Sequence, residues 1–147
     1  MRISWCRENG WAAAALTAPA LLLAAPLWCV HTPAMPDYPA HLASFWMIGG
    51  GISDPVLAKA YDIHWAFIPN IASEGLVPLL ARISGLVTAV RIFLTGAVLM
   101  WVIGPGLVHR VLYGRWGVAP LLGAFFAYNA NFSWGFFNYY FAAGLGF

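Results

Sequence analysis

Charge is what this sequence has least of. Asp, Glu, Lys and Arg make up 8% of its 147 residues, against about 25% in ordinary soluble domains. With 62% hydrophobic residues and a mean hydropathy of +0.76, the chain has too little polar material to clothe a water-facing surface. Lipid is the solvent that suits it, and an uncharged stretch of about twenty residues spans the hydrocarbon of a bilayer. The basic residues are scattered singly and the net charge is only +2, which gives no footing for a nucleic-acid partner. Cysteine is scarce as well. Cys6 and Cys29 would lie roughly 34 Å apart along one helix and cannot pair with each other. Also missing are a phosphate-binding glycine loop, a nucleophile elbow and a zinc motif. The four histidines lack the spacing of a bis-histidine haem site.

What is present is a series of apolar runs. The first, residues 11–30, follows Arg2 and Arg7 and is bracketed by Trp11 and Trp28. A basic start predicts a cytoplasmic N-terminus, and terminal tryptophans suit the two interfacial belts. A signal peptide shares these features, but the length of the run and the bulk of Trp28 before Cys29 favour an uncleaved helix. Residues 31–64 hold Asp37, Asp54 and Asp62 with Lys59 as their one basic residue, and read as a noncytoplasmic loop. Within it "SDPVLAKAYD" predicts a short helix capped by Ser53 or Asp54, with Pro55 in the first turn.

A second apolar segment covers about 65–81, and a third about 89–108. Arg82 and Arg91 would then share a short cytoplasmic connection. From Trp116 to Phe147 no charge occurs, and "AYNANFS" (127–133) divides that stretch into a fourth helix ending near Tyr128 and a fifth starting near Phe132. Arg110 and Arg115 would lie outside, against the positive-inside preference. The expectation is an all-α polytopic transmembrane bundle of about five hydrophobic helices with a short helical first external loop. The same expectation makes residues 1–147 a single transmembrane domain, the N-terminal part of a longer multi-pass protein of the bacterial inner membrane.

Ionisable groups in so apolar a chain carry the functional signal. Glu74 falls near the middle of the second segment, where Pro69, Gly75 and Pro78 weaken the helix; the bland alternative is a carboxyl hydrogen-bonded to a neighbour such as Asn70. Asp37 and His41 stand at i and i+4, so a helix over "DYPAHLASFW" sets them on one face. A carboxylate beside an imidazole suits proton abstraction or metal binding. Asp37 could equally be a helix cap with Pro39 in the first turn. A metal would need a third ligand from Asp62 or Glu74. His31 and His64 read as interfacial, Asp54 as a cap, and "FSWGFFNYYF" as packing or lipid contact.

"PDYPAHLA", "YDIHWAFIPNIASEGLVPLLARISG" and "YNANFSWGFFNYYFAAGLGF", in that order, resemble a group of bacterial polytopic membrane proteins. These carry D-x-P-x-H-L-A and later F-x-W-G-F-x-N, and are themselves similar to the GT-C class of membrane glycosyltransferases. The resemblance covers nearly all of the chain but only the N-terminal part of such a protein. It implies a polyprenyl-phosphate-linked sugar as donor, transferred at the outer face of the membrane, with Asp37 in the first external loop as catalytic base or metal ligand. "PDYP" offers one acid where such loops commonly carry two, which leaves a divalent metal possible but unassigned. Glu74 could supply the second carboxylate, and His41 completes the candidate catalytic set. The rival readings are a transporter or channel component, with Glu74 lining a substrate path, and a noncatalytic membrane scaffold.

Overall fold

A computed structural model describes residues 2–66 and 71–146, with side chains from residue 14 onward apart from that of Ala119. The side chains of Arg2, Cys6, Arg7 and Trp11, and the segment holding Pro69 and Asn70, lie outside the described residues.

The all-α expectation holds, since no strand occurs among the described residues, but the five-span bundle does not. The α-helices are α1 (Arg2–Cys29), α2 (Tyr38–Ile48), α3 (Ala72–Ser84), α4 (Leu86–Tyr113), α5 (Leu122–Phe125), α6 (Ala130–Trp134) and α7 (Phe137–Leu145). Among the described residues one helix, α4, is long and apolar enough to cross a membrane, and the apolar run Ala14–Cys29 is shorter. The second expected span begins as a helix only at Ala72 and has 13 residues, about 20 Å against about 30 Å of hydrocarbon. The uncharged C-terminal stretch is a chain of short helices. Pro120, the cap at Asn129 and the left-handed Gly135 interrupt it, so its hydropathy is spread over pieces none of which could span.

α4 is the axis of the molecule. Its buried positions Ala89, Val90, Phe93, Leu94, Ala97, Val98 and Val102 recur at helical spacing, so one stripe is covered along the N-terminal two-thirds of the helix. α1 runs antiparallel to it. Trp28 Nε1 donates to Thr95 Oγ1 at 3.0 Å, Arg91 Nη2 donates to the carbonyl of Val30 at 2.8 Å, and Leu16 packs against Gly106. α7 follows α4 in the same direction, with Phe137 and Phe141 on Phe93 and Tyr140 stacked on Trp101.

α3 and α4 form a hairpin that turns on the single residue Gly85, at φ 77°, a left-handed conformation that costs any side chain. Pro78 sits inside α3 and Pro105 inside α4 without ending either helix.

Two placements correct the expected topology. Arg91 bonds the exit of α1, so the 82–91 connection shares an end of the molecule with the loop that follows α1. Arg110 lies over Trp116, which reaches Gly106 beside Leu16. That end is therefore the one where α1 begins. The expected helix over 53–62 is instead two 3-10 turns, Gly51–Ser53 and Leu57–Lys59. Asp54 has no such helix to cap, but its Oδ1 still holds the local turn, accepting from the N–H of Val56 at 2.8 Å and of Leu57 at 3.4 Å.

Candidate active site

Asp37 occupies the N-cap position of α2, with Pro39 in the first turn, but its carboxylate makes no capping bond. The backbone does the local work. The Asp37 carbonyl accepts from the N–H of His41 at 3.0 Å, and the Asp37 N–H donates to the carbonyl of Trp134 at 3.3 Å. One turn on, His41 shares the face of Asp37, as i, i+4 spacing requires. Its ring lies nearly parallel to that of Phe137, with centroids 4.6 Å apart, and stacks at 5.7 Å on Phe45. Both neighbours are buried, so the imidazole plane is fixed by packing.

Glu74 enters from the first turn of α3, where a negative charge suits the helix dipole. Its Oε2 accepts from Ser73 Oγ and from Asn138 Nδ2, each at 2.8 Å, and its Oε1 lies 3.8 Å from His41 Nδ1. Asn138 also takes the backbone N–H of Ser73 on its Oδ1 at 2.6 Å. α3 has no local side-chain cap, so Asn138 provides one from a distant helix, satisfying an N–H that has no partner within the helix. Ser73 and Asn138 are both buried, which makes each of these bonds matter.

The α6–α7 segment closes the site. Asn129 caps α6 by accepting from the N–H of Phe132 at 3.1 Å. Gly135, at φ 89°, turns the chain where a Cβ would stand 3.3 Å from that of Asp37 and 3.4 Å from that of Met35. Only glycine meets both the conformation and the space.

The result is an open cleft of about 550 Å³ lined by Asp37, His41, Glu74, Asn131, Phe136, Asn138 and Tyr139. The three residues singled out by the sequence are brought together from two helices and a turn. The carboxylate of Asp37 has no hydrogen-bond partner among the described residues and faces a cleft in which one imidazole, two amides and the phenol of Tyr139 are the other polar side chains besides Glu74. Glu74, by contrast, is held on one oxygen by two donors. A carboxylate that no described residue engages and a fixed imidazole in one cleft are the parts of a proton-transfer site.

The residues fit a metal poorly. Asp62 pairs instead with His64, Oδ2 to Nε2 at 2.9 Å, on an exposed loop, and among the described residues no group of three His, Cys, Asp or Glu side chains could hold an ion. Ser73 and Asn131 carry no functional expectation from the sequence, and Phe136, Asn138 and Tyr139 belong to the run read as packing or lipid contact. Asn138 closes the F-x-W-G-F-x-N string, and an amide inside an apolar helix was the available signal. No protein-family model, curated protein or solved structure matches this chain.

Proposed function

We propose that the cleft is the acid–base site of a membrane-bound glycosyl transfer, in which Asp37 accepts the proton of an acceptor hydroxyl while the sugar leaves a polyprenyl phosphate. The observation that carries this reading is the meeting of Asp37, His41 and Glu74 in one cleft, with the Asp37 carboxylate unengaged by any described residue. His41, stacked and facing Glu74, is placed to share the proton or orient the hydroxyl. The donor class comes from the resemblance to GT-C glycosyltransferases. A helix able to cross a membrane passes beside the cleft, so a lipid-borne donor and an aqueous acceptor could both reach it. In this reading the cleft end lies outside the bacterial inner membrane, because Arg110 and Arg115 share the end where α1 begins with Arg2 and Arg7.

The test is Asp37→Asn in membranes containing the protein. Asn keeps the shape and removes the base, so transfer should fall by about 10²–10⁴-fold. Transfer by the Asn variant near the wild-type rate would overturn the role of Asp37. The noncatalytic reading has its own support in the Ser73–Asn138–Glu74 bonds, which close the end of α3 without any chemistry. It expects no transfer from either protein. The orientation has a separate check: a cysteine at Ser53, in a Cys6- and Cys29-free background, should react with an impermeant thiol reagent on intact spheroplasts, and labelling only after lysis would reverse it.

A further inference from the structure

Further along α2 and α3, toward their C-terminal ends and away from the cleft, runs a second groove, of about 430 Å³. Its wall is built mainly from Phe45, Trp46, Pro78, Ala81 and Leu86, with Arg82 at one side. Arg82 alone among the residues of that wall carries charge, and it makes no hydrogen bond or ion pair with any described residue. The surface around it is apolar as well. Trp46, Leu79, Ile83 and Val87 are exposed, Ile83 to 87%.

These features ask for an amphiphile. Water would leave the exposed Leu79, Ile83 and Trp46 unburied, and an apolar protein segment would leave the guanidinium without a counter-charge. An interfacial helix shows the same pattern, with large apolar residues on the lipid side and a basic residue at headgroup level. The chain itself supplies the continuity. Leu86, in the groove, is the first residue of α4, and Gly85 alone separates α4 from α3.

We propose that this groove holds an anionic phospholipid of the bilayer that α4 crosses, its phosphate on Arg82 and an acyl chain over Pro78, Ala81 and Leu86. Arg suits the task because its guanidinium pairs with phosphate oxygens in a bidentate manner and is held less tightly by water than an ammonium. Trp46 would close the side of the acyl chain with its ring at the interface. The groove is separate from the Asp37 cleft, so the proposal stands whether or not that cleft catalyses anything.

The experiment places a photo-crosslinking amino acid at Ala81 in the full chain, reconstituted in vesicles of equal parts phosphatidylglycerol and phosphatidylcholine. A second probe at Ile103, exposed on α4, reports lipid contact away from the groove. The Ala81 probe should capture phosphatidylglycerol over phosphatidylcholine by about fivefold, the preference one basic residue confers near an anionic headgroup, while the Ile103 probe captures both alike. Arg82→Gln should bring the Ala81 ratio to about one and Arg82→Lys should keep most of it. High salt should weaken the wild-type ratio in the same direction, a check that needs no variant. Equal capture of the two lipids at Ala81, or capture of lipid at Ile103 but none at Ala81, overturns the proposal. Failure to capture lipid at either position removes the bilayer on which it rests.

Discussion

Asn138 Nδ2 stands 2.8 Å from Glu74 Oε2, joining residues 64 positions apart. The same amide holds the N–H of Ser73, so one side chain both fixes a carboxylate of the cleft and finishes the helix that carries it. Asn138→Ala should therefore strand a buried N–H and loosen Glu74 together. A loss of about 1–3 kcal/mol is expected, read as a fall in melting temperature in detergent. Asn131→Ala, on the same cleft but half-buried and outside this bracket, should change stability far less.

Gly135→Ala tests the joint between α6 and α7. The left-handed backbone costs alanine about 1–2 kcal/mol, and the methyl group must also displace Asp37 or Met35. Stability should fall by at least that amount, measured by thermal unfolding. If the cleft is catalytic, transfer should fall further than the loss of folded protein accounts for.

Asp37→Ala separates two roles that the sequence left joined. A capping carboxylate is worth about 1 kcal/mol to its helix, but the side chain of Asp37 makes no such bond. The Ala variant should unfold within about 0.5 kcal/mol of the wild type. A loss of a full kilocalorie would return Asp37 to the role of cap.

Tyr38 offers a test by pH. Burial pushes its phenol above the ordinary value of 10.0, with the Arg91 guanidinium pulling weakly the other way. The unfolded chain then releases its proton first as the solution becomes alkaline. The stabilising difference is fully present below pH 10 and is lost as pH rises through the folded value. Tyr38→Phe should lose less stability than the wild type between about pH 9 and pH 12, followed by denaturation at fixed temperature. Equal alkaline losses would mean that Tyr38 ionises as freely in the fold as outside it.

How far the sequence could be read depends on the kind of signal. Asp37, His41 and Glu74 stood out because a charge or an imidazole in so apolar a chain needs a reason, and the fold gathers all three. Their partners did not. Asn138 is uncharged and Ser73 is ordinary at a helix start, so only the packing of α7 on α3 and α4 reveals what they do. The spans misled for a related reason. Summed hydropathy over 116–147 ignores Pro120, Asn129 and Gly135, which divide the stretch into short helices folded against α4. Arg91 misled as well, since a lone arginine beside an apolar run reads as a flank until its bond to Val30 places it.

The bracket made by Asn138 also fixes an order of events. Asp37, His41 and Glu74 leave the ribosome well before residues 129–138, the part of the chain that turns at Gly135, lines the cleft and supplies the amide for Ser73. For the time it takes to add roughly sixty residues, several seconds at about 5–20 residues per second, α3 has a ragged first turn and Glu74 lacks its longest-range restraint. The N-terminal half of the chain can carry both carboxylates and the imidazole of the cleft and still have no cleft. A chain that stalls or is cut before residue 138 would present those groups loose at the end of α1, open to whatever quality-control machinery recognises an unfinished protein.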